Sequence, residues 1–342
     1  MTDSMSQRVH EYGGAAYTLT SDGKIVFTDF TSMAVCSADP DTGKTETVLD
    51  VAHCRYADFD AHSTRPWVLA VEEDHTIDVP ADVVNRIVLI DLEKKSRTTL
   101  VEGSDFYMNP RLSPDGTRLA WTQFDHPNMP WIGTELYVAK LNSSGRREQT
   151  MHIAGEAGKV SVTEPRWAAD GRLFFSTDAT GYYQLSYLDV ETSAVKVLKL
   201  AAGLEEASIG TTEWQLGNHS YVFLPEKTAV AAALVEGASK LISIDLRSGD
   251  WQDLNLPLTS VGFNNLAAAS ETSFIVIGAT DTEPGALYCV DLRAESTMHK
   301  LKSTLDIALS KDNISIATSI TCPTAHNPVS YTHLTLPTKR IV

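Results

Sequence analysis

Apolar and polar residues alternate along this chain in runs too short for helices, with turn formers between the runs. The clearest instance covers residues 110–121, where Ser113, Pro114, Asp115 and Gly116 separate Arg111-Leu112 from Leu119-Ala120-Trp121. Proline presets a backbone φ near −65° and glycine accepts a positive φ, so the segment predicts strand, tight turn, strand. A weaker copy occupies 165–175 around Asp170-Gly171, and a more diverged one 17–27 around Asp22-Gly23.

This element recurs within units of roughly 40 to 50 residues, the period of four-stranded propeller blades. Six units are predicted, at about 10–51, 55–102, 106–154, 160–200, 211–256 and 260–301. Residues 67–71 and 86–92 are the strongest strands, while 228–235, rich in alanine and valine, suits a buried strand or a short helix equally. Several units close their third strand on an aspartate: Asp91, Asp189, Asp245 and Asp291. One carboxylate per repeat at one structural position reads as turn chemistry, accepting bonds from nearby backbone N–H groups, and not as a metal or catalytic series.

The net charge of −16 and a pI near 5.0 argue against nucleic acid or an anionic membrane as partner, since both require clustered Lys and Arg. No apolar run approaches the roughly 20 residues of a membrane span, and the first residues lack the apolar core of a signal peptide, so a cytoplasmic location is expected. Cys36, Cys54, Cys289 and Cys322 lie far apart with no CxxC pair, which predicts free thiols. Residues 329–338 look like translated adapter sequence, so 328–342 is expected to be disordered and is set aside from the fold.

Other segments are more specific. These are Arg8-Val9-His10-Glu11-Tyr12-Gly13-Gly14, Glu73-Asp74-His75, Trp121-Thr122-Gln123-Phe124-Asp125-His126-Pro127-Asn128-Met129-Pro130-Trp131, Gly133-Thr134-Glu135-Leu136-Tyr137-Val138 and Pro165-Arg166-Trp167. Together they resemble the propeller of the prolyl oligopeptidase family of serine peptidases, most of all its acylaminoacyl peptidase and dipeptidyl aminopeptidase-like branch, over about residues 8–327. The resemblance implies an all-β propeller of four-stranded blades, six present of an expected seven, followed by an α/β-hydrolase domain that carries the catalytic serine, aspartate and histidine. On that reading 8–304 is an incomplete propeller and 305–327 begins a linker into the missing hydrolase domain. The family usually has proline two residues before the tryptophan of the fifth blade; Thr212 stands there before Trp214, so no substrate contact is carried over to that blade.

The chemistry present agrees with a fragment that lacks its catalytic centre. No G-x-S-x-G nucleophile elbow occurs, and His10, His62, His75, His126 and His219 have no serine or cysteine partner evident in the sequence. No H-E-x-x-H, H-x-x-x-H or Asp-x-Asp-x-Asp-Gly pattern is present, so neither metal nor cofactor is expected. Asp125-His126 beside Pro127 reads as a loop-shaping pair, and Gly13-Gly14 as a close backbone approach near the propeller axis. Because successive antiparallel strands reverse direction, the segments 10–14, 72–75 and 125–131 fall on one face. The candidate site is therefore His10, Glu11, Tyr12, Glu73, Asp74, His75, Asp125, His126 and Trp131, facing a peptide substrate or the missing hydrolase domain. Glu11, Glu73 or Asp74 is expected to pair with a substrate amine.

The expected function is to gate and orient small peptides for that domain; the parent would be the enzyme, and this chain lacks the triad. An open blade edge at the missing blade is expected to favour association of copies. Two other readings stand beside it: a stand-alone propeller serving as an interaction scaffold, and a propeller hydrolase such as a metal-dependent lactonase.

Overall fold

The computed structural model describes residues 5–293, 296–305 and 311–316. The expectation for 328–342 lies outside the described residues, as do 306–310 and 317–327 of the expected linker. Residues 17–49, 54–102, 106–154, 162–197, 208–253 and 260–303 each form one antiparallel sheet. In five of the six sheets chain order is spatial order, so each is a four-stranded meander, and together they make a six-bladed propeller. The ambiguous run is a strand, Thr228–Val235. The aspartates do the turn work expected of them: Asp245 Oδ1, for example, accepts the backbone N–H groups of Arg247 (2.7 Å) and Ser248 (3.1 Å).

Burial on both faces explains why the second strand of blade 2, Trp67–Asp74, reads as a continuous apolar run before its acidic end. Trp67, Leu69 and Val71 pack with Tyr107, Leu119 and Trp121 of blade 3. The alternate residues Val68 and Ala70 point the other way, onto Val26 and Val35 of blade 1. Similar apolar clusters join blades 3 and 4, 4 and 5, and 5 and 6. Among the described residues no such cluster joins blade 6 back to blade 1. A cavity of about 820 Å³ opens there instead and runs inward to the central residues Asp58, Arg111 and Arg166 of blades 2, 3 and 4; Tyr17 and Leu19 of blade 1 and Ile277 of blade 6, all exposed, stand along it.

The innermost strand of a blade carries a bulge at a repeated place. Asp58, Asn109 and Glu164 all have left-handed backbones, with φ of 51°, 53° and 51°, and the pairing register slips at each. Blade 5 departs from this pattern. Its innermost strand is split into Ser208–Ile209 and Tyr221–Leu224, and both halves pair with Thr228–Val235. Residues 210–220 leave the sheet at the bulge position and return two register steps later, with only Ala232 passed over, since Ile209 faces Ala233 and Tyr221 faces Ala231.

Candidate functional site at the centre of one face

The segment leading into blade 1 has an uncommon backbone. His10, Glu11, Gly13, Gly14 and Ala15 all have positive φ (55°, 64°, 71°, 101° and 48°), and three of them carry a Cβ that disfavours it. Its neighbours hold it there. The N–H of His10 donates to Glu73 Oε1 (2.7 Å), and Arg55 Nη1 donates to the carbonyl of Arg8 (3.3 Å) and to Glu11 Oε1 (3.1 Å). Residues 210–220 brace it from the other side: the N–H of Leu216 donates to the Gly13 carbonyl (3.2 Å), and Gln215 Nε2 to the Tyr12 carbonyl (3.2 Å). A Cβ on Gly14 would lie 2.2 Å from the Leu216 carbonyl oxygen, so the close approach read from the two glycines is real.

The same crossing loop reaches several blades. Asn109 Nδ2 of blade 3 donates to Glu213 Oε2 (2.9 Å), Arg166 Nη2 of blade 4 donates to the Asn218 carbonyl (2.7 Å), and His219 Nδ1 lies 3.2 Å from the Leu266 carbonyl of blade 6. Ser220 closes the loop, giving its N–H (2.7 Å) and its hydroxyl (2.6 Å) to the Glu164 carboxylate. With its contacts to the blade 1 lead segment, the loop bridges the propeller axis.

Beneath it lies a charged layer built on the bulges. Asp58 accepts the Asn109 N–H (2.6 Å) and an Arg111 Nη1 bond (2.8 Å). Glu213 is only 1% exposed, and its Oε1 has no hydrogen-bond partner. Burial, then the charges of Glu164 and Asp58, push its pKa well above the usual carboxylate range, which fits a carboxyl kept neutral to sit in this layer. His219 is also neutral: the Arg166 charge and burial pull its pKa down to about 2. Among the described residues no group of three or more His, Cys, Asp or Glu is placed to hold a metal ion.

Two of the sequence candidates, His10 and His126, come together on Phe106. His10 meets that ring edge-on at 5.2 Å, His126 does so at 5.1 Å, and Phe124 stacks on it at 4.7 Å. Glu73 is a buried strand residue, not the loop residue the sequence suggested; Oε1 takes the His10 N–H and Oε2 faces His75 Nε2 at 3.1 Å. Asp74, at the strand's end, accepts the Thr76 hydroxyl (2.6 Å), the Thr76 N–H (3.0 Å) and Arg86 (3.0 Å), which hold its pKa down to about 2. Asp125 accepts the Asp105 N–H (2.7 Å) while the His126 N–H donates to Asp105 (2.8 Å), a loop-shaping arrangement.

Glu11 faces solvent, its side chain 72% exposed, and Asp125 is exposed as well. Trp131 is exposed on its loop, as are Met129 and Ile132. The candidates missed the crossing loop, and with it Trp214, whose ring meets Tyr12 edge-on at 5.4 Å. Tyr12 is 64% and Trp214 43% exposed.

No protein-family model matches the chain, and no curated protein matches it. Solved structures do match. A puromycin-hydrolyzing peptidase of Mycobacterium tuberculosis superposes with a TM-score of 0.82 at 27% identity, covering 92% of this chain and 49% of that one. A puromycin hydrolase gives 0.80 at 25% identity, covering 90% and 48%. One of two prolyl endopeptidases gives 0.64 at 15%, covering 86% and 42%, an identity at which the fold alone is shared. The structural neighbours of this propeller include puromycin hydrolases and prolyl endopeptidases, in line with the resemblance to the prolyl oligopeptidase family read from the sequence. The chain spans about half the length of the solved relatives it matches.

Proposed function

We propose that this chain is the propeller of a serine peptidase of the prolyl oligopeptidase family, and that the face bearing Tyr12 and Trp214 holds small peptides against an α/β-hydrolase domain. The carrying observation is one-sidedness. Tyr12, Ile77, Met129, Trp131, Tyr182 and Trp214 are all exposed, and all belong to loops at the end where second strands finish. The turns at the other end are built on polar residues and glycine, such as Asp22-Gly23, Asp115-Gly116 and Asp170-Gly171. Exposed apolar groups gathered on one side of a rigid scaffold are the usual mark of a surface that is covered or occupied in use.

The 27% identity to a puromycin-hydrolyzing peptidase over nearly the whole chain supports the same reading. Peptides would then be received on the loop face and not passed down the axis, because the crossing loop bridges it, and orientation replaces sieving as the propeller's part in gating. The exposed apolar edges of blades 6 and 1 would take one further sheet, packed on Tyr17, Leu19 and Ile277 as each blade packs on the next. A cytoplasmic location belongs to the same proposal.

Expression of the whole reading frame from the source DNA tests it. The expected product carries a G-x-S-x-G hydrolase domain, cleaves small peptide amides, and protects the 75–83 and 125–134 loops from hydrogen exchange. A product without that domain, or with those loops as open as in the isolated propeller, overturns the reading.

A further inference from the structure

We infer that the inner end of the cavity between blades 6 and 1 is a binding site for a small monocarboxylate with an apolar body, whose carboxylate is taken by Arg166. The site stands apart from the loop face and does not rest on the peptidase reading. The cavity, about 820 Å³, falls within the size of small-molecule sites, roughly 300–1,000 Å³. Phe223, Leu266, Ile275 and Leu287 are among its walls, and Arg111 and Arg166 stand where it reaches the centre. An apolar chamber with a few charged groups at one end fixes an amphiphilic molecule by its head.

Arg166 is the cation there with donors to spare. Its side chain is 15% exposed and lines the cavity. Nη2 donates to the Asn218 carbonyl (2.7 Å), Nε is buried with no partner, and among the described residues Nη1 has no hydrogen bond. Glu164 does not neutralise it at contact: its Oε2 is 3.9 Å from Nη2, and both of its oxygens are already taken by Ser220. The Arg166 charge is accordingly felt by its neighbours, being the first cause of the low His219 pKa. An unfilled guanidinium edge in an apolar surround is a strong seat for a carboxylate, since charge-assisted bonds gain strength where water is scarce.

The other charges at this end set the charge of the ligand. Arg111 is spent on Asp58 (2.8 Å), the Pro110 carbonyl (2.9 Å) and Asn109 (3.3 Å). Asp60, which also lines the cavity, accepts the Leu112 N–H (2.8 Å), and burial raises its pKa. With one open cation facing Asp60, a single negative charge is matched and a dianion is repelled. Trp167 stands in the wall next to Arg166, its Nε1 donating to the Arg111 carbonyl (3.1 Å). Blades 2, 3 and 4 and the crossing loop supply this end, so a sheet packed on Tyr17, Leu19 and Ile277 would roof the mouth and leave the seat intact.

The 342-residue chain serves for the test. Its six tryptophan indole N–H signals are followed by NMR during titration with 4-phenylbutyrate, each assigned by its loss in a tryptophan-to-phenylalanine variant. The expected result is a saturable shift of the Trp167 signal, with that of Trp131 on the loop face unmoved. 4-Phenylbutan-1-ol keeps the body and lacks the charge, and butyrate keeps the charge and lacks the ring; each should bind at least about tenfold more weakly. Arg166→Gln should bring acid and alcohol to equal affinity, while Ile275→Ser should weaken both and keep their ratio. Asp60→Asn leaves Arg166 in place and should tighten the acid about threefold with the alcohol unchanged, so the charge preference is readable even where Arg166→Gln fails to fold. A Trp167 signal that does not move, or that moves equally for acid and alcohol in the parent chain, overturns the site. An acid preference that survives Arg166→Gln, or no tightening in Asp60→Asn, gives the carboxylate to another group and overturns it as well.

Discussion

Asn109 Nδ2 donates a 2.9 Å hydrogen bond to Glu213 Oε2, tying a bulge on the inner strand of blade 3 to a loop that leaves the inner strand of blade 5. Both side chains are buried, so the bond has no competition from water. Glu213→Ala strands the Asn109 amide and should cost about 1–3 kcal/mol in chemical unfolding at neutral pH. Glu213→Gln keeps an acceptor and should cost less. Equal losses in the two variants would show that the hydrogen bond is not what holds the loop.

The same carboxyl sets a pH dependence. Its folded pKa is raised, chiefly by burial, so the native state binds a proton that the unfolded state releases above about 4.3. Its contribution is therefore fully present below that pH and is lost as pH rises toward the folded value. Stability measured at pH 5 and pH 8 should fall less on the alkaline side in Glu213→Gln than in the parent chain. An unchanged difference would mean that Glu213 ionises freely in the fold.

His219 works in the opposite direction. With a folded pKa lowered to about 2, it stays neutral in the native state, and its contribution is present above the unfolded value and lost as pH falls below it. Between about pH 6.5 and 4 the chain should lose up to about 1.4 kcal/mol per pH unit from this one group. His219→Gln should flatten the acid limb of the stability curve, a change readable in urea titrations at three pH values.

Gly14→Ala combines a φ of 101° with an overlap of the new Cβ on the Leu216 carbonyl oxygen at 2.2 Å. The loss should be at least about 2 kcal/mol. If the segment is the mount for Tyr12 and Trp214, the Trp214 indole signal should also move in this variant, whereas Gly23→Ala, with open space around it, should leave that signal in place.

The exposed flanks of the cavity between blades 6 and 1 should make the chain self-associate as concentration rises. Leu19→Lys together with Ile277→Lys places two charges there and should return the sedimentation profile to a monomer. A parent chain that stays monomeric at millimolar concentration would show that the cavity's flanks do not bind one another.

Most of the fold was legible because blade packing writes itself into the chain twice, as the alternation of strands and as the turn residues between them. Pro114-Asp115-Gly116 and the aspartates at 91, 189, 245 and 291 act locally, so their meaning survives without any knowledge of tertiary contacts. The grouping of His10, Glu73 and His126 on one side was readable too, since strand direction alone fixes it.

The centre was not legible. Asp58, Asn109 and Glu164 look like ordinary polar residues at the positions of alternating strands, and only the slip in register turns them toward a shared charged layer. Residues 210–220 contain an apolar and polar mixture that passes for an inner strand, so Trp214 was read as a blade residue when it stands on a loop out of the sheet. One faint signal was available: Gly210 and Gly217 bracket the stretch, and both take positive φ.

The repeated bulge has a consequence for how such a fold varies. A blade's outer strands and turns lie at the rim, where added residues are accommodated by growing outward. In blade 5 the growth happens inward, at the one place on the inner strand where the ladder already skips a residue, and the strand resumes its pairing as if nothing had intervened. The outline of the propeller is thereby independent of what fills its middle. Two proteins built on this frame can share every blade and every blade-to-blade contact and still differ in whether a molecule sees a hole, a lid or a shelf at the centre, with a handful of residues at a single bulge making the difference.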